Sequence, residues 1–251
     1  MSKNRQQSVK VTAWLDSPLG GNAPMLDSVL EFYMLRHMPR ILETCGGSRH
    51  AGYINGGHRL IPIPIARERI GDWLIPRCSS PILPAPASEW TQRFARPMVT
   101  DHDLIAERRK INTSSGPNKS CLLPLRSRLV EKIVWFAVAE TDSSKGHGLR
   151  KNGKPRGAAS PLSCIKRRLK KINTIGSKAS QGHGVVSRWE VELVDDDWSW
   201  FAKDAAGQVL MRPLPRGDWL PDNLLGAKVS FDRPCGPYHD KAQACEVVKP
   251  C

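Results

Sequence analysis

Apolar and polar positions alternate in residues 8–15 (SVKVTAWL) as they do in a half-buried strand. Residues 132–139 (KIVWFAVA) form an almost wholly apolar run, the pattern of a central strand. Between 161 and 172 the period changes. Leu162, Ile165, Leu169 and Ile172 recur at three- and four-residue steps, which predicts a helix with one apolar face. Ser160 stands where an N-cap belongs, and Pro161 fits the first helical position. An earlier helix is expected from about Pro24 to Met38, capped by Asn22 and stopped by Pro39. Its core face would be Met25, Leu26, Val29, Leu30 and Tyr33. Val185, Val186, Trp189, Val191 and Leu193 predict a strand after the second helix. Residues 59–67 and 71–77 suggest a hairpin whose prolines confine it to an edge. From 79 to 118 Pro81, Pro84, Pro86 and Pro97 break every period, so an irregular insertion is expected there. Beyond Asp195–Asp197, an acidic strand end, short strands and turns complete the chain.

The segment joining the second helix to its strand is rich in glycine: Ile175 to Val186 reads IGSKASQGHGVV. Gly176, Gly182 and Gly184 allow positive φ and a close approach of backbone to a ligand. Lys178 places a cation among them, and spare N–H donors there would suit a phosphate. No Gly-Lys-Ser/Thr closes the loop and it leads into a strand, so it is neither a Walker loop nor a dinucleotide fingerprint. Taken alone, it also fits a plain turn with glycines at its corners. The preceding helix changes that picture. Lys166, Arg167, Arg168, Lys170 and Lys171 fill its polar positions with no acid among them. Such a run is often a solvated face. Five like charges in one short helix nevertheless repel one another and favour an anionic partner.

Charge carries the same message across the chain. The 251 residues include 38 Lys and Arg against 24 Asp and Glu, a net charge of +14, which makes nucleic acid the first partner to consider. An anionic membrane surface is second, but no apolar run reaches spanning length. The polar start MSKNRQQSVK has no signal-peptide pattern, so a cytoplasmic location is expected. The seven cysteines are scattered without Cys-x-x-Cys, which argues against a disulfide framework. Cys235, His239, Cys245 and Cys251 are metal-ligand types at loose spacings, read as ordinary side chains rather than a zinc site. No cofactor is expected. His50 and His58 lie in a glycine-rich stretch without an identifiable partner, so general acid–base work is not assigned to them.

The order of these segments resembles a known family. Its pattern comprises Ile-Asn-Thr-x-x-Gly-Pro-x-Lys-Ser at 111–120, the apolar strand, and Ile-Gly-x-Lys-x-x-Gln-Gly-x-Gly-x-Val at 175–186. Trp189 and Arg-Pro-Leu-Pro at 212–215 follow. This is similar to the RAMP superfamily of CRISPR proteins, and within it to the type IV effector subunit of Cas family five. The likeness spans residues 8 to about 240 and is most specific over 172–191. It implies an α+β, ferredoxin-like (RRM-like) fold with a glycine-rich loop, a long basic insertion and a β-rich C-terminal part. The chain would then divide into 1–85, an irregular insertion over 86–119, 120–194 and 195–251. By position, Gly176, Lys178, Gly182, His183 and Gly184 become RNA-backbone contacts. The insertion becomes a thumb carrying Arg108, Arg109, Lys110, Asn118 and Lys119. Implied partners are guide RNA, the backbone and large subunits of a CRISPR effector, and target DNA through that complex.

Two functions compete. One is a non-catalytic subunit that grips the 5′ handle of the guide RNA, caps the backbone and contributes to recognition of a target-DNA motif. The other is a metal-independent endoribonuclease of the same fold, with His183 as base and Lys178 by the scissile phosphate. The superfamily's processing nucleases keep their glycine loop near the C-terminus, whereas here residues 187–251 follow it. A generic basic protein docking on ribosomal RNA is a weaker third reading.

Overall fold

A computed structural model describes residues 6–37, 61, 63–95, 122–140, 160–203, 207–222, 224–225, 227–232, 234–235 and 244–250. Strand β1 (Gln6–Leu15) forms where the alternation predicts it, with Val9, Val11 and Ala13 buried. It is the middle strand of an antiparallel sheet, between β7 (Lys132–Glu140) and β8 (Val186–Leu193). Helices α1 (Leu26–His37) and α2 (Pro161–Leu169) bury their apolar faces in the same core. Leu26, Val29, Leu30 and Met34 come from α1; Ile165 and Leu169 come from α2, which packs on β7, β8 and β1. The indole N–H of Trp135 donates to the Pro24 carbonyl at 3.1 Å, fixing the start of α1 against β7. That of Trp189 donates to the Ile172 carbonyl at 2.8 Å, fixing the end of the α2 segment against β8.

The ferredoxin-like α+β expectation is corrected by this arrangement. The described residues are mostly β, with two α-helices and strands spread over five small sheets. A ferredoxin-like unit needs four strands in one sheet; this sheet has three. Among the described residues, the outer side of β7 carries only isolated bridges, from Ile65 to Ala139, Cys78 to Ala137 and Ile82 to Val134. Pro64, Pro76 and Pro81 fall in that stretch, and a residue without an N–H cannot sustain a ladder.

A second sheet joins β2 (Leu19–Gly20), β6 (Leu122–Leu129) and β5 (Ser88–Ala95). Strand β5 corrects the expectation of an irregular insertion over 86–119, since its first part is regular. The hairpin β3 (Arg67–Ile70) and β4 (Trp73–Pro76) turns at Gly71, φ 56°. The C-terminal part is β-rich. One of its small sheets joins β9 (Phe201–Lys203), β10 (Gln208–Leu210) and β12 (Leu224–Leu225). The other joins β11 (Leu214–Pro215), β13 (Ala227–Asp232) and β14 (Cys245–Pro250). A second core of Ile75, Trp200, Leu210, Leu214 and Val248 binds these strands to the β3–β4 hairpin.

One buried polar cluster ties the two cores together. Arg212 and Asp27 are both fully buried and pair at 3.1 Å. The same guanidinium donates to the carbonyls of Cys78 (3.1 Å) and Pro234 (3.0 Å). One helical turn beyond Asp27, Glu31 accepts from Arg67 at 3.0 Å. Burial pushes the Glu31 carboxyl up to about 7; the Asp27 charge adds to the rise and Arg67 opposes it. Burial likewise drives the Cys78 thiol far above its ordinary range.

Candidate nucleic-acid interface

Helix α2 starts as its sequence dictates. The Ser160 hydroxyl accepts from the Ser163 N–H at 3.2 Å, and Pro161 occupies the first turn. Pro161, Cys164, Ile165, Arg168 and Leu169 are buried. Lys166 and Arg167 remain exposed on the helix, and Lys170 and Lys171 on the turn that ends it. Four of the five expected cations therefore face solvent on a packed, fixed segment. Arg168 is the exception, only 5 % exposed, and is removed from the candidate interface. It lies three residues after Ile165 and four after Cys164, within the buried stripe.

After α2 the chain closes a tight loop. The Ile175 N–H donates to the Gly184 carbonyl at 2.8 Å and the Val186 N–H to the Asn173 carbonyl at 2.8 Å. A short 3₁₀ turn, Ala179–Gln181, sits at the tip between two left-handed residues, Lys178 (φ 63°) and Gly182 (φ 82°). The loop is also bound to β2 and to the segment between β1 and β2. Ser177 N–H donates to the Gly20 carbonyl (3.0 Å), Gly184 N–H to the Pro18 carbonyl (2.9 Å) and Val185 N–H to the Ser17 hydroxyl (2.8 Å). The Gln181 and Gly182 N–H groups bond within the tip itself.

This bonding corrects the idea of a loop full of spare donors. The N–H groups of Ile175, Ser177, Gln181, Gly182, Gly184, Val185 and Val186 all hold the fold together. The glycines are explained by the same geometry. A Cβ on Gly184 would lie 1.8 Å from the Ile175 carbonyl oxygen, and one on Gly20 would lie 2.7 Å from that of Ser177. Gly182, at positive φ, faces open space, with nothing within 4 Å of its would-be Cβ. Gly176 would meet the Leu19 side chain at 2.9 Å. His183 is 8 % exposed, its Nε2 3.4 Å from the Ser127 hydroxyl on β6. Lys178 is half-buried at the loop's edge.

Sequence reasoning missed the docking segment 16–21. Its adjacent Gly20 and Gly21 were the available signal, because a pair of glycines marks close approach of another backbone. The thumb residues Arg108, Arg109, Lys110, Asn118 and Lys119 lie outside the described residues, as do His50, His58, His239 and Cys251. Among the described residues, no three His, Cys, Asp or Glu side chains are grouped to hold a metal ion. No helix among them is long and apolar enough to cross a membrane.

Two grooves flank the end of α2. One, of about 710 Å³, runs along β8 and includes Lys166, Lys170 and Arg188, but also Glu190 and Glu192. The other, of about 690 Å³, lies between α1 and the glycine loop and has no carboxylate among the described residues of its walls. Compared with known proteins, the chain matches no family model and no curated sequence.

Proposed function

We propose that this protein is a non-catalytic RNA-binding subunit, one that grips guide RNA at its 5′ handle within a CRISPR effector of type IV. The observation that carries RNA-backbone binding is the set Lys166, Arg167, Lys170 and Lys171, exposed together on one packed segment. Their rigid support lets four cations meet successive phosphates without first ordering the backbone beneath them. The net charge of +14 supports the same partner. The assignment to guide RNA, with backbone and large subunits as neighbours and target DNA reached through the complex, rests on the resemblance over 111–120 and 172–191.

His183 weighs against the endoribonuclease reading. A general base must reach the ribose 2′-hydroxyl at hydrogen-bond distance, and this imidazole is buried beneath the loop against Ser127.

Sequencing the RNA that copurifies with the protein tests the proposal. A population sharing one constant 5′ segment is expected, with unchanged ends in a His183→Ala variant. Fragments of ribosomal RNA without a common end would refute it. Loss of mature 5′ ends in a folded His183→Ala variant would favour the nuclease.

A further inference from the structure

The groove between α1 and the glycine loop has an uncommon wall. Phe32 is 59 % exposed on α1, and Arg36, exposed one turn later, shares its face. Tyr33 lines the same wall, while Lys171 and Asn173, just after α2, and Ser180, on the tip of the glycine loop, line the rest of the groove. The space is about 690 Å³. An exposed phenylalanine beside two cations, with no carboxylate among the described residues of the walls, is poorly suited to a basic ligand. A nucleobase offers a flat face to the ring, and its phosphate offers charge to Arg36 and Lys171. Asn173 and Ser180 can hydrogen-bond a base edge or a ribose hydroxyl.

We propose that this groove is a subsite for one unpaired nucleotide, its base stacked on Phe32 and its phosphate between Arg36 and Lys171. The proposal rests on the RNA-binding reading above and extends it from backbone contact to capture of a base. Lys171 belongs to both surfaces, so a strand lying on the exposed cations of the α2 segment passes directly into the groove. Stacking is tolerant of base identity but favours purines, which present the larger face.

The test uses the full-length protein with fluorescent decamers of oligo(A) and oligo(U), titrated at several salt concentrations. Phe32→Ala should weaken oligo(A) binding by about 5- to 150-fold, the span of one base–aromatic stack, and oligo(U) by less. Its salt slope should equal that of the wild type, because every cation facing a phosphate is still present. Phe32→Trp should retain binding, which separates stacking from a folding defect. Arg36→Ala should flatten the slope by roughly 0.7, the contribution of one phosphate on a single strand. Unchanged affinity in Phe32→Ala, with the wild-type salt dependence intact, overturns the groove and leaves the helix face standing. Absence of salt-dependent binding by the wild type overturns both.

Discussion

Replacing Gly184 with any other residue is expected to abolish the glycine loop, lowering stability by more than about 4 kcal/mol, in the range reserved for severe disruption. The new Cβ would sit 1.8 Å from the Ile175 carbonyl oxygen. That obstacle is backbone, and it is the partner strand of the loop: the Ile175 N–H donates to Gly184 itself at 2.8 Å. No rotamer change relieves such an overlap. The residue also holds φ 62°, a region that side chains disfavour. Moving it would break the bond from its N–H to Pro18, one of the three bonds that attach the loop to residues 17–20. Gly182→Ala is the control. Its φ is 82° but its Cβ meets nothing, so the cost should be about 1 kcal/mol, the strain of the left-handed backbone alone. Thermal unfolding of the two variants checks this. Equal melting curves would mean that the Ile175–Gly184 pairing does not hold in solution.

Arg212→Ala should destabilise the protein by about 3–5 kcal/mol, the cost of stranding one partner of a buried ion pair. Asp27 would be left with no exposure, one turn from Glu31 on the same helix. Arg212 also serves the carbonyls of Cys78 and Pro234, so its removal uncouples the C-terminal part from α1 as well as deleting a charge. The double variant Asp27→Leu with Arg212→Met should recover much of that stability, because a buried pair replaced by apolar side chains of similar volume is often neutral. Chemical denaturation measures both. A double variant as unstable as Arg212→Ala would show that the bonds to the carbonyls, not the stranded charge, set the cost.

The elements most legible in the sequence are those whose neighbours repeat their pattern. Strands β1 and β7 alternate or run apolar, and α2 carries a cap, an N-terminal proline and a regular apolar stripe. The same arithmetic turns Arg168 inward, since it lies on the line from Ile165 to Ile172; its charge, shared with four neighbours, points the other way. Strand β5 is hidden by its flanks. Trp90, Gln92 and Phe94 alternate with Thr91 and Arg93, but Pro84, Pro86 and Pro97 on either side read as breakers. Closure into a four-stranded sheet is not legible, because it depends on whether residues 64–82 can pair with β7. Their prolines allow pairing one residue at a time. His183 shows the limit most directly. Its Nε2 lies against the Ser127 hydroxyl, fifty-six residues earlier on β6, and no local pattern announces such a partner.

The central claim is that the exposed cations of the α2 segment bind RNA backbone. The most direct measurement is the salt dependence of affinity for single-stranded RNA, wild type against Arg167→Glu with Lys170→Glu. Both side chains are exposed, so the fold should be unaffected. The double variant should bind more weakly, and its log–log salt slope should be shallower by roughly 0.7 for each phosphate that no longer meets a cation. A slope identical to that of the wild type would contradict the account.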